Sequence, residues 1–176
     1  VTGRTRRIEA AVRQRTAALE DEVRERERAE AETRESEQRF RNIFENVPIG
    51  VFYTDLEGNV KRANPRFCDL IGYDETALRK MRWLDCTYGE DVAQDLELTA
   101  QLVRGEIPMY RRHKRFVTQD GRTVWVQATV SLLRDGAGQP QRIVGVVEDI
   151  TEHLRLQEAE KARDLAEAAN RAKSEF

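Results

Sequence analysis

The sequence predicts an α+β fold, in which one five-stranded antiparallel sheet carries short helices on one face and lies between two long flanking helices. Three observations predict it. Apart from Gly3, every Gly and Pro falls between Pro48 and Gly145, so the residues that punctuate turns are confined to the middle of the chain. That middle opens with two short strand patterns and closes with three longer ones, the last three joined by "QDGR" and "DGAGQP", both strong hairpin signals. Between the two groups of strands lie short helical patterns with their own start and stop residues.

The first flank, residues 4–47, reads as a continuous helix. Glu20 and Arg24, Glu22 and Arg26, Glu30 and Arg34, and Glu35 and Arg39 are i,i+4 pairs in the favoured order. Val12, Thr16, Leu19, Val23 and Arg26 trace a weak heptad seam. Fully helical, the flank would reach roughly 65 Å. A solvated single helix leaves so thin a stripe nothing to bury against, which favours a parallel dimer. At its end Phe40, Ile43, Phe44 and Val47 offer a cover for one face of the sheet.

The domain proper opens with "VFYT" (51–54), a turn over "DLEGN" and then "VKRA". Asn64 follows as N-cap, with Pro65 at the first helical position and Gly72 as the stop; Phe67, Leu70 and Ile71 share the apolar face. A second helix, about Asp91 to Val103, places Val92, Leu96, Thr99 and Val103 on one face and ends at Gly105. The long strands span 109–118, 122–133 and 141–150, and the last two are apolar on both faces over part of their length, as in central strands. In the last flank Ala162, Leu165, Ala169, Ala172 and Phe176 form a seam of mostly small residues, which lets helices approach closely but buries little area. The chain therefore divides into 1–39 (linker helix), 40–151 (domain) and 152–176 (outgoing helix).

Composition narrows the function. Of 176 residues 35% are charged and 39% hydrophobic, and the mean hydropathy of −0.71 is too polar for one compact globule. The net charge of −2 gives no overall field for nucleic acid or membrane. Cys68 and Cys86 form no CxxC pair and read as free core thiols in a reducing compartment. The first residue is Val1, which suggests a piece of a longer protein. The run Arg111, Arg112, His113, Lys114, Arg115 invites a nucleic-acid reading, but alternate strand residues face opposite ways and acidic partners abound, so a solvated or salt-bridged strand is favoured.

Taken together, "SEQRFRNIFENVPIGVFYTDLEGNV", "NPRFCDLIGY" and "KRFVTQDGRTVWVQATVSLLRDGAGQPQRIVGVVEDIT" resemble the PAS family of sensory domains, from about Ser36 to Thr151. The resemblance implies the PAS fold. The closing "AEAANRAKSEF" is similar to the lead-in to the dimerisation helix of bacterial sensor histidine kinases, whose phosphoacceptor His would follow shortly beyond Phe176. A diguanylate cyclase output is the runner-up. "RTRRIEAAVRQRTAALEDEV" more loosely resembles linkers that follow a transmembrane segment in such kinases, which implies a cytoplasmic segment of a parent anchored in the inner membrane. The implied partners are a second copy through the flanking helices, the kinase core of the same chain and a small ligand.

Candidate sites are few. His153 lacks the His-Glu-x-x-x-Pro context of a phosphoacceptor, and His113 has no second ligand at metal spacing. The 91–104 helix carries no axial His, which disfavours haem, and Cys68 does not lie in the Asn-Cys-Arg-Phe context of flavin-binding relatives. No nucleophile–base–orienter set is present, so the segment is expected to be non-catalytic, with no metal and no cofactor. Phe67, Ile71, Trp83, Leu96, Val103, Val126 and Ala128 are candidates to line the interior, either as plain core or around an apolar ligand. Asp149, Ile150 and Thr151, where the last strand runs into the outgoing helix without a breaker, are the candidate signal-transfer junction, the polar pair capping the helix and fixing its exit angle.

Overall fold

A computed structural model describes residues 2–174. The chain separates into two compact units, Val1–Phe44 and Glu45–Phe176. The first is the bulk of helix α1 (Thr2–Asn46). Its charges pair along the surface, Arg39 with Glu35 at 2.8 Å and Arg34 with Glu30 at 3.9 Å as the spacing predicts. Arg26 turns instead to Glu30 (2.9 Å) and Arg24 to Asp21 (3.9 Å). Val12, Leu19 and Val23 are exposed. Phe40 and Ile43 are exposed too, more than half of each surface; Phe44, stacked on Phe40 at 5.9 Å, is buried and Val47 half-buried.

The second unit holds strands β1 (Gly50–Thr54) and β2 (Val60–Ala63), helices α2 (Pro65–Ile71) and α3 (Glu75–Leu78), a 3-10 turn at Trp83–Cys86 and helix α4 (Gly89–Arg104). Strands β3 (Met109–Val117), β4 (Thr123–Arg134) and β5 (Pro140–Asp149) and helix α5 (Thr151–Ser174) complete it. Every pair in the sheet is antiparallel, in the order β2-β1-β5-β4-β3. The closing strand is thus inserted beside the first one, with Phe52 opposite Gly145.

Asn64 holds β1 and α2 together. Fully buried, it accepts at Oδ1 from the Phe67 and Val51 amides, both at 2.9 Å, and donates from Nδ2 to the Ile49 carbonyl at 2.9 Å. The N-cap read from the sequence is therefore also a clasp between strand and helix. Gly72, at φ 80°, closes α2 in the left-handed conformation that favours glycine.

The helix-side face of the sheet packs as two clusters. Phe52, Phe67, Phe116, Ile71, Val126, Ala128 and Val147 belong to the larger; Leu102, Tyr110, Val130 and Ile143 form the smaller. Phe67 stacks on Phe52 at 4.5 Å and meets the edge of Phe116 at 5.8 Å. Gly145 makes room for this: a Cβ there would stand 2.5 Å from the Phe52 ring.

Helix α4 keeps Val92, Thr99 and Val103 half-buried and corrects the expected face at Leu96. Its buried positions are Asp91, Asp95 and Leu102, with Leu98 half-buried, whereas Leu96 is 45% exposed and lines no interior. The apolar pattern misleads because two carboxylates hold the buried stripe. Asp95 takes Arg112 Nη1 at 2.9 Å and the ammonium of Lys114, which also lies 4.8 Å from the Trp83 ring centre and 4.5 Å from that of Phe116. Asp91 accepts from the Arg115 amide (2.8 Å) and guanidinium (2.9 Å). Arg112, Lys114 and Arg115 of the basic run are thus salt-bridged to carboxylates of α4, whereas Arg111 and His113 are exposed. Burial pushes the Lys114 ammonium down from its usual range, against the pull of Asp95.

Two outcomes are expected. Asp95→Ala leaves Lys114 buried without its carboxylate, with Thr87 as hydrogen-bond partner, and should lower stability by about 3–5 kcal/mol, whereas Asp95→Leu with Lys114→Met should recover at least half of that loss, measured by urea unfolding. Hydrogen bonds from Arg115 hold the Asp91 carboxyl below the usual carboxylate range, against the effect of burial. The folded pKa lies below the unfolded value of about 3.9, so Asp91 stabilises the fold above that pH and loses the effect as pH falls through the folded value. The stability gap between wild type and Asp91→Asn should therefore be widest near neutrality and narrow steadily below about pH 4.

Candidate functional site

Two places in the second unit could carry function: the interior between sheet and helices, and the junction of β5 with α5. The interior is nearly full. Phe67, Ile71, Trp83, Val126 and Ala128 are buried core residues and Val103 is half-buried beside the smaller cluster. The remaining cavity has a volume of about 20 Å³. That admits about one water molecule, which needs roughly 10–15 Å³. Of the residues proposed from the sequence, only Trp83 lines it; Phe52, Thr54, Thr99, Tyr110, Lys114 and Gly145 are among its other walls. The strand members of that set could have been found by extending the inward alternation of the strands to their polar positions. Tyr110 gives its hydroxyl to a 2.9 Å hydrogen bond with Thr99, and burial pushes its pKa up to about 12. The Cys86 thiol is pushed up to about 11 by burial, and half-buried Cys68 is raised for the same reason, so neither is a ready thiolate.

At the junction Ile150 and Thr151 attach to the backbone of Trp125 in β4, and Asp149 pairs with the next residue, Val126. The Ile150 amide donates to the Trp125 carbonyl at 2.9 Å. The Thr151 hydroxyl accepts from the Trp125 amide at 3.0 Å and returns a longer bond, 3.4 Å, to its carbonyl. Asp149 Oδ1 accepts the Thr151 amide at 2.9 Å, and the Leu154 amide closes the first helical bond on Ile150 at 2.9 Å. Asp149 thus serves the first amide of α5, as a cap would. Thr151 does something the sequence did not predict: its side chain extends the β4–β5 ladder by one residue past the Val126–Asp149 pair. An open groove of about 530 Å³ runs beside the first two turns of α5, lined by His113, Trp125, Leu154, Arg155 and Glu158 among others. The start of α5 is therefore held mainly by backbone-directed hydrogen bonds. His153 lies exposed on α5, and His113 is exposed on β3. Among the described residues no group of three or more His, Cys, Asp or Glu is placed to hold a metal ion, and no helix is long and apolar enough to cross a membrane.

The PAS fold family model matches residues 60–147, half of the chain. The probable diguanylate cyclase DgcE of Escherichia coli is 35% identical over 124 residues, 70% of this chain and 11% of that protein. The sensor histidine kinase TmoS of Ectopseudomonas mendocina is 31% identical over 123 residues, 70% of this chain and 13% of the kinase. The chain thus spans only a small part of the curated relatives it matches. A crystallised domain of a sensory box sensor histidine kinase/response regulator from Geobacter sulfurreducens is 27% identical, with a TM-score of 0.55, over 65% of this chain and 94% of that domain. Its helix-backed five-stranded sheet and the matched residues agree: the chain belongs to the PAS fold family.

Proposed function

We propose that this chain is the regulatory relay segment of a two-component sensor histidine kinase, in which the PAS domain sets the geometry of α5 and so of a kinase core further along the same protein. The observation that carries the reading is the tie of Thr151 to both backbone groups of Trp125, which fastens the first residue of α5 to an inner strand of the sheet. A shift in the sheet or in an upstream coil then changes the direction in which α5 leaves. The near-full interior supports a ligand-free relay over a ligand-responsive sensor. The exposed stripes of α1 (Val12, Leu19, Val23) and α5 (Ala162, Leu165, Ala169, Ala172) support a parallel homodimer, and the resemblance of the first flank to linkers that follow a transmembrane segment supports a place on the cytoplasmic side of a membrane; Phe176, the last position of the second seam, lies outside the described residues. The segment itself is non-catalytic.

A diguanylate cyclase parent is the second reading, supported by the 35% identity to DgcE. Incubating the full-length protein with labelled ATP and with GTP separates the two: acid-labile phosphohistidine marks the kinase, cyclic di-GMP the cyclase. In the kinase, Thr151→Val and Asp149→Ala should each change the autophosphorylation rate by about fivefold or more, the lower end of couplings between linked sites. Rates within twofold of wild type for both variants would sink the relay reading. Native mass spectrometry of the chain should show a dimer without a retained small molecule; a stoichiometric ligand would favour sensing.

A further inference from the structure

We infer that Arg115 and Trp125 form a mechanical link that couples the position of α4 to the start of α5, so that the relay reads the helix layer as well as the sheet. The inference deepens the relay reading and rests on it for its biological meaning. A run of contacts, each between neighbours, makes up the link. Arg115 holds the first turn of α4, donating from Nη2 to Glu90 at 2.9 Å and from its backbone amide and guanidinium to Asp91. The Tyr88 amide in turn donates to the Arg115 carbonyl at 3.0 Å, and the guanidinium lies 4.1 Å from the Tyr88 ring centre. The same guanidinium lies 5.1 Å from the ring centre of Trp125, its cross-strand partner in the β3–β4 ladder. The backbone of Trp125 is where Ile150 and Thr151 attach.

The placement explains how a helix on one side of the sheet can act on the other. Val126 is fully buried on the helix side, so Trp125 faces the opposite side, and β3 is the last strand. Arg115 reaches past that edge and touches both the α4 terminus and the Trp125 ring. Further along α4, Thr99 lines the small internal cavity and Asp95 grips Lys114. A displacement of α4 by anything that strains the interior would pull on Asp91, tilt Arg115 off Trp125 and loosen the clasp of Thr151.

Contiguous contacts become coupling only if each end responds to the other. Amide hydrogen exchange on the chain itself tests this without any kinase assay, so its failure is distinct from failure of the relay reading. Arg115→Met should speed exchange of the Thr151–Leu154 amides, and Thr151→Val should speed exchange at Gly89–Asp91. Each rise should be about two- to fivefold, the scale of one lost cation–π contact, relative to amides of α2 as an internal reference. Trp125→Leu keeps the ion pairs at Asp91 and the backbone partners of Thr151, so it serves if Arg115→Met folds poorly. In its background, Thr151→Val should no longer affect Gly89–Asp91. The inference is overturned if either effect stays within its own element, if α2 speeds up equally, or if the Thr151→Val effect on α4 survives in Trp125→Leu.

Discussion

Two carboxylates one helical turn apart decide how this domain is assembled. Asp91 and Asp95 share the buried stripe of α4 with Leu98 and Leu102 and pair with Arg112, Lys114 and Arg115 of β3. A buried ion pair of this kind costs desolvation and adds little net stability over an apolar equivalent. Its value is orientational: a charged pair tolerates one rotation of the helix, whereas a greasy contact tolerates several. With α4 so oriented, Thr99 reaches the cavity wall and Asp91 meets Arg115 at the edge of the sheet.

Much of the fold was legible in the chain because the signals were local. The hairpins at "QDGR" and "DGAGQP", the cap at Asn64 and the left-handed stops at Gly72 and Gly105 each lie within a few residues of what they determine, and every strand came out within two residues of its observed ends. The order β2-β1-β5-β4-β3 depends on pairing β1 with β5 across most of the domain, which no local pattern carries; it was implied only by likeness to a family. The buried carboxylates of α4 were not legible because a carboxylate in sequence looks solvent-facing until the cation opposite it is known, and Arg112 and Lys114 lie roughly twenty residues further on.

The junction shows the same limit more finely. Its three residues were readable as a candidate site, since a strand runs into a helix there with no breaker between them. The role of Thr151 was not readable. A threonine at a helix start is expected to cap its own helix; here the hydroxyl is spent on a neighbouring strand, and Asp149 serves the helix amide in its place. Which of two polar neighbours does which task is settled by what lies across the ladder, in this case the backbone of Trp125.

The bare backbone at Gly145 has a consequence for how such a domain can change over generations. With the Phe52 ring only 2.5 Å from where a side chain would begin, position 145 can gain a side chain only if the ring at position 52 moves aside or shrinks. The route from a filled interior to a roomy one therefore runs through position 52. A descendant that keeps glycine at 145 and trades Phe52 for a small residue would open a chamber beside Lys114 without disturbing the sheet.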